Sequence, residues 1–434
     1  MIKRIASLLN SDEEAVEFEK RYLVRRPKPR KEELFDRYMS SNKHVIAALK
    51  SRSRPMGMEE FDSIFITNDR VKELEKHKKS GRKIIGTFCN MVPLELIYAA
   101  GAIPVRLCSG CKDAIKAGEE IFPKDSCNLI KSSIGNIMQD QPYSSLCDAV
   151  VIPATCDGKK KMGEILNEYK AVWVMELPQT KDRMLGRKNW LSETHILKRR
   201  IERLTKTIIN RKNLEKAIRL THNRHDVVRR FLHIRKEKPW VISGSDSLLV
   251  MQASFFDDIE KWTGKAERLC QELEMSKQEK NPIRILVTGS PIIIPNFKIP
   301  LTIEHFNAVI TADETCAGIQ YLYDPVEPDE WNMSEMLKAV SERYLMPSVC
   351  PCFIKAEDRI DKLLDMIKLY NVEGVIYHNL RLCLLFDAES AKVRRVLEQK
   401  GVPFLYINTD YSKEDTGQLK TRIEAFIEIL ESRR

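Results

Sequence analysis

Eleven cysteines are spread along a chain of 434 residues, and six of them stand where a strand-like run ends or a helix-like run begins. Cys89 follows the apolar run Ile84 to Phe88, Cys156 follows Ala149 to Pro153, Cys316 follows Ala308 to Thr311, and Cys383 follows Val375 to Leu382. Cys127 opens the helical stretch Asn128 to Met138, and Cys350 comes after Arg343 to Pro347. In an open parallel sheet the carboxyl ends of the strands face a ligand crevice, so cysteines placed there converge in space while far apart in sequence. A helix start beside a sulfur favours thiolate over thiol through its backbone N–H groups and dipole, and thiolate is the form that binds metal. The six form two sets of three, at intervals of 38 and 29 positions in the first set and 34 and 33 in the second. Such wide intervals differ from the compact CxxC loops of a zinc ribbon or a ferredoxin.

The other cysteines carry weaker signals. Cys147 and Cys270, each next to a leucine, read as small buried hydrophobes. Cys108 and Cys111 form a CxxC that zinc or redox chemistry could use, but without a second pair or a nearby histidine. Cys352 makes a CxC with Cys350 and is its possible substitute. The opening residues lack the apolar middle of a signal peptide, and no run approaches the roughly 20 apolar residues of a membrane helix, which predicts a cytoplasmic address and no membrane partner. Cytosolic thiols are kept reduced, so a disulfide framework is excluded, leaving packing, nucleophilic chemistry or metal. The net charge of +10 is spread over helical segments without a nucleic-acid motif, so no nucleic acid is expected as partner.

The elements that must position these sulfurs follow from periodicity. From Lys83, short apolar runs alternate with helical ones: Ile84 to Phe88, a helix from Leu94 to Ala100 closed by Gly101, Ile103 to Leu107, Ala149 to Pro153, then Ala171 to Glu176. The alternation predicts a parallel α/β domain. Residues 194 to about 237 have a helical stripe through Leu197, Ile201, Leu204, Ile208 and Leu214 opposite a basic face, and Asp257 to Met275 is again helical. After Pro282 strands return at Ile283 to Val287, Ala308 to Thr311, Val372 to Tyr377 and Pro403 to Ile407. The organisation expected is an N-terminal helical segment over 1–65, a first α/β domain over 66–180, a mainly helical segment over 181–281 and a second α/β domain over 282–434. Two helices are expected in the first segment, interrupted by Arg25 to Pro29. The halves look like distant copies: Ala149 to Ile152 leading to Cys156 parallels Glu373 to Ile376 leading to Cys383. Gly244-Ser245 and Gly289-Ser290-Pro291 read as turns.

Several segments carry a family resemblance: Gly86-Thr87-Phe88-Cys89-Asn90-Met91-Val92-Pro93-Leu94-Glu95-Leu96-Ile97, Cys127-Asn128-Leu129-Ile130-Lys131-Ser132-Ser133, Pro153-Ala154-Thr155-Cys156-Asp157-Gly158-Lys159-Lys160-Lys161-Met162, Cys383, and the closing runs Thr409 to Ser412 and Gly417 to Phe426. From about Ser80 onward the chain resembles the 2-hydroxyacyl-CoA dehydratase D-component family, and within it the double-cubane cluster proteins.

The resemblance implies two flavodoxin-like halves with clusters in the cleft between them, and an ATP-hydrolysing activator that carries its own [4Fe-4S] cluster. Double-cubane members hold two cubanes joined by a bridging sulfide, [8Fe-9S], on six cysteines of one chain, and act as homodimers that reduce small molecules. On this pattern Cys89, Cys127 and Cys156 take one cubane and Cys316, Cys350 and Cys383 the other. The alternative within the family is a 2-hydroxyacyl-CoA dehydratase subunit with a single [4Fe-4S] cluster and a CoA thioester substrate. A non-enzymatic cluster protein or zinc scaffold is the third reading. Lys131, Ser132, Ser133 and Lys159 to Lys161 are candidate tuners of cluster potential, and Glu95, one turn into its helix, is a candidate proton source. No Walker A pattern is present, so ATP chemistry is expected in a partner.

Overall fold

The computed structural model describes residues 31–434 except 278–279, 323 and 356. The helix expected ahead of the Arg25 to Pro29 break lies outside the described residues. Among the described residues eight strands form two separate sheets. The first contains β1 (Ile84–Thr87), β2 (Ile103–Arg106), β3 (Ala149–Pro153) and β4 (Val172–Met175) in the order β2-β1-β3-β4. The second contains β5 (Ile283–Gly289), β6 (Ala308–Glu314), β7 (Gly374–Leu380) and β8 (Phe404–Thr409) in the order β6-β5-β7-β8. Every pairing is parallel. Both orders read 2-1-3-4 within their own half, which is the start of the flavodoxin-like arrangement. The likeness of the halves therefore extends from sequence pattern to topology.

Parallel strands covered by helices on both faces are written as unbroken apolar runs, and β1, β2, β3, β6 and β7 are buried along their whole length, with β5 buried at all but Arg284. One contiguous core includes Ile85 and Val151 of the first sheet and Ile285 and Ile376 of the second, and a smaller one around Tyr377 and Leu363 fills the outer side of the second sheet.

Between the sheets lie the helices Met184–Thr205, Arg211–Glu237, Gly244–Ala253 and Ile259–Met275. Two features depart from the periodicity reading. The stripe through Leu204 and Ile208 is broken, because Lys206 adopts a left-handed conformation with φ of 56° and ends the first helix. Gly244-Ser245 is the first turn of a helix, not a loop. All ten of its residues are buried, so it has no polar face and no amphipathic period to betray it. At the N-terminal end, Lys31–Lys50 and Met58–Ile66 are helical, and Arg54 ties this region to the buried helix by pairing with Asp62 at 2.9 Å and Asp246 at 2.6 Å. Among the described residues no helix is long and apolar enough to cross a membrane.

Candidate metal centre between the two sheets

In each sheet the strand order reverses beside the first strand, between β1 and β3 and between β5 and β7, and a crevice opens there at the carboxyl ends. Cys89 and Cys156 follow β1 and β3, and Cys383 follows β7. Cys316 follows β6, and Cys127 and Cys350 come from the crossovers. All six are partly buried. The halves meet directly: the Tyr411 hydroxyl donates to the Ser109 carbonyl at 3.1 Å, and the Leu94 amide donates to the Tyr344 hydroxyl at 3.1 Å.

The sulfurs interact across this boundary. Cys127, at the N-terminus of Asn128–Met138, shares a proton with Cys383. The hydrogen bond to Cys383 holds Cys127 below its ordinary value, helped by the Leu129 and Ile130 amides, while the same bond and burial push Cys383 up. Within the pair the negative charge is therefore favoured on Cys127 over Cys383. Cys156 also feels Cys383, and the Lys159 amide donates to its sulfur at 3.4 Å. Burial nevertheless pushes Cys156 up to about 11. Burial likewise raises Cys89 and Cys316, which sense each other and Cys350. Cys350 is raised first by its hydrogen bond with Cys352 and then by burial. Cys350 lies near enough to raise both Cys89 and Cys316. These contacts join Cys127 and Cys156 to Cys383, and Cys89 to Cys316 and Cys350, so they run across the two halves as well as within each.

Cys89 has φ of 58°, left-handed for a residue with a side chain, a conformation that costs roughly 1–2 kcal/mol. Its sulfur lies 3.6 Å from the Thr155 hydroxyl. Strain held at such a position is a mark of functional sites.

The supporting side chains divide sharply. Lys159, 4% exposed, places its ammonium 4.1 Å from the Phe88 ring centroid, with no hydrogen-bond partner among the described residues. It faces Cys108, Cys89, Cys156 and Cys316. Lys160 and Lys161 instead pair with Asp157 and Glu164 in solvent. Lys131 binds Glu119 and the Lys124 carbonyl at 2.8 and 2.7 Å. Ser132 donates to the Cys111 carbonyl and hydrogen-bonds the Ser109 hydroxyl, and Ser133 accepts from the Ser109 amide. These three fasten the loops around Cys127. Glu95 is buried, with one carboxyl oxygen lacking a partner among the described residues, and its helix lies against Arg211–Glu237.

Several contributors were not legible beforehand. Arg359, fully buried, pairs with Glu314 at 2.8 Å and Glu389 at 2.7 Å and donates to the Val349 carbonyl at 3.2 Å. It thereby joins the strand end before Cys316 to the residue before Cys350. Lys181 donates to the Met346 carbonyl at 3.1 Å and also to the Ser348 carbonyl and Asp358, tying the Cys350 loop to the first half. Ser290, read as an ordinary turn residue, hydrogen-bonds Cys383 and accepts from the Leu380 amide at 3.0 Å. Tyr411 adjoins Cys127, Cys108, Cys111 and Cys383. Cys147 and Cys270 are buried away from the crevice, the first donating to the Tyr143 carbonyl at 3.1 Å, and burial pushes both up to about 12.

Among the described residues no three Cys, His, Asp or Glu side chains meet tightly enough to hold one metal ion. A four-iron cube makes a different demand, one thiolate for each separate iron. The donor set here is thiol-rich and spread over both walls of the crevice. The buried ammonium of Lys159, without a hydrogen-bonding partner, fits an anionic group at the same place, since a buried charge is stable only when compensated.

A family model described as 2-hydroxyglutaryl-CoA dehydratase, D-component, matches residues 89–430. A chain of Escherichia coli (strain K12) with the provisional name dehydratase subunit YjiM is 34% identical over 360 residues, covering 81% of this chain and 93% of that one. The beta subunit of (R)-2-hydroxyglutaryl-CoA dehydratase from Acidaminococcus fermentans is 25% identical over 367 residues, covering 82% and 95%. One subunit of the benzoyl-CoA reductase from Thauera aromatica is 22% identical over 354 residues, covering 80% and 89%.

Proposed function

Because the chain belongs to the 2-hydroxyglutaryl-CoA dehydratase D-component family, we propose that it is the iron-sulfur component of a low-potential reductase of double-cubane type. The observation that carries the reading is the supply of sulfur: thiols from both sheets face one crevice and surround a buried lysine without a hydrogen-bonding partner. Cys89, Cys127, Cys156, Cys316, Cys350 and Cys383 are the proposed ligands of an [8Fe-9S] centre. When bound, that centre would supply low-potential electrons to a small molecule.

The chain's own residues prepare the site. Cys127 is biased toward thiolate by Cys383 and the helix start, so it gives up its proton most readily of the six. The remaining thiols are held protonated by burial, and their protons leave as metal binds, which makes loading easier as pH rises. Lys159 supplies positive charge against the thiolates, and Arg359 with Glu314 fixes the two loops on the opposite wall. The proposed partners are an ATP-hydrolysing activator with its own [4Fe-4S] cluster and a second copy of this chain, in the cytoplasm.

A second reading is favoured by the names of the relatives, several of which are dehydratase beta subunits. In it the chain holds a single [4Fe-4S] cluster and works on a CoA thioester beside a different subunit. Iron and acid-labile sulfide in anaerobically purified protein separate the two. Two cubes give about eight irons per chain and one gives about four. Zinc without iron would overturn both.

A further inference from the structure

Where the strand order of each sheet reverses, a buried hydroxyl adjoins one of the proposed ligand sulfurs. In the first half Cys89 follows β1 and Thr155 follows the neighbouring β3, with the Thr155 hydroxyl 3.6 Å from the Cys89 sulfur. In the second half the two roles change strands. Ser290 follows β5 and hydrogen-bonds Cys383, which follows the neighbouring β7. Each central strand pair therefore ends in one thiol and one hydroxyl.

The chain itself holds these hydroxyls in place. The Ser290 amide donates to the His378 carbonyl at 2.7 Å, and His378 Nδ1 lies 2.9 Å from the Ser290 carbonyl. Gly289, just before, has φ of 109°, and an added Cβ would stand 2.1 Å from the His378 carbonyl oxygen, so the turn that presents Ser290 requires glycine. The Leu380 amide donates to the Ser290 hydroxyl at 3.0 Å, which leaves the hydroxyl one proton for Asn379 Oδ1, 3.3 Å away, or for the Cys383 sulfur. An ionised sulfur is the stronger acceptor of the two, because its hydrogen bond is charge-assisted. Thr155 is buried, and its hydroxyl meets the Cys89 sulfur. Once Cys89 has lost its own proton, Thr155 is the donor of that contact.

We propose that Thr155 and Ser290 are positioning residues that set the reduction potential of the metal centre, by donating hydrogen bonds to the ligand sulfurs of Cys89 and Cys383. Neither touches iron, so the set of six cysteines is unchanged. A hydrogen bond to a ligand sulfur draws negative charge from it and so favours the reduced centre. With Cys89 and Cys383 in different cubes, each cube receives one such bond. This rests on the iron-sulfur reading above.

The test uses the full chain, reconstituted anaerobically with iron and sulfide, as wild type, T155V, T155S and S290A. T155V and S290A are expected to keep wild-type iron, to shift the midpoint potential to more negative values and to change the electron paramagnetic resonance spectrum of the reduced protein. T155S keeps the hydroxyl and is expected to keep the wild-type potential. Thermal unfolding of the metal-free variants checks the fold, and S290G takes the place of S290A if the alanine variant does not fold. A wild-type potential in iron-loaded T155V and S290A would overturn the proposal alone. So would equal shifts in T155V and T155S, which mark a packing role, or loss of iron from a folded variant, which marks a role in loading. A wild-type chain that binds no iron would overturn the parent reading and this one with it.

Discussion

The two sheets share a strand order but support their cysteines by different means. Cys127 and Cys156 in the first half sit at helix starts, before Asn128–Met138 and Asp157–Leu166, as Cys383 does before Leu384–Gln399 in the second. Among the described residues, however, only the first half adds the full positive charge of a lysine without a hydrogen-bond partner, Lys159. In the second half the corresponding loops are held by a buried ion-paired network, Glu314–Arg359–Glu389, which contacts backbone beside the sulfurs. The first wall supplies charge to thiolates, and the second supplies geometry. Topology fixes where a ligand can be placed, whereas the means of stabilising it is free to differ between two copies of one fold.

Removing Arg359 should test the second wall most severely. Arg359→Met leaves Glu314 buried without its partner, and the metal-free chain is expected to lose about 3–5 kcal/mol, measured by denaturant unfolding. A loss below 1 kcal/mol would mean that the network is not what holds those loops. Lys159→Met should act in the opposite sense on the first wall. The metal-free chain is expected to gain roughly 1–3 kcal/mol, because a buried charge without a hydrogen-bond partner has gone, while iron retention falls. If stability and iron content fell together, Lys159 would be a packing residue and the contrast between the walls would fail.

Titration gives a smaller effect on the second sheet. His378 is fully buried on β7, with its Nδ1 2.9 Å from the Ser290 carbonyl, and burial lowers it from 6.5 to about 4. The unfolded chain therefore binds a proton that the folded chain refuses between those values. The stability due to neutral His378 is present above pH 6.5 and is lost as pH falls toward 4, amounting to about 2 kcal/mol by pH 5. Asp313, pushed up to about 7 by burial, works with the opposite sign between about 4 and 7. The His378 contribution is thus read as the difference in slope between H378Q and wild type, and equal slopes would refute it. Least affected should be C147S and C270S, each losing about 1 kcal/mol from a hydroxyl placed among apolar groups and keeping full iron. Iron loss in either would extend the centre beyond the crevice.

Much of this architecture was legible because parallel strands write themselves as apolar runs, and the cysteines at their ends follow from the geometry of such sheets. The division of labour among Lys159, Lys160 and Lys161 was not legible. Three consecutive lysines look alike in sequence, while a helix turns about 100° per residue, so only one of them points inward. Arg359 and Glu314 meet because a crossover folds back, which no local pattern announces. The CxxC of Cys108 and Cys111 suggests a joint role, yet Cys108 adjoins Lys159 while Cys111 is buried beside the Asp113 and Ala114 amides. Glu95 lies in a helix as expected, but a turn position does not say what the carboxyl faces.

Cys127 and Cys383 share a proton although more than half the chain separates them. During synthesis at 5–20 residues per second, the first sulfur leaves the ribosome roughly 13–50 s before its companion. Through that interval the first sheet can be complete while its crevice has only one wall, and its thiols are open to oxidants and stray metals. Whatever fills the crevice can be installed on finished chains alone, so loading must follow translation. A chain interrupted before β7 would have no means of closing the site.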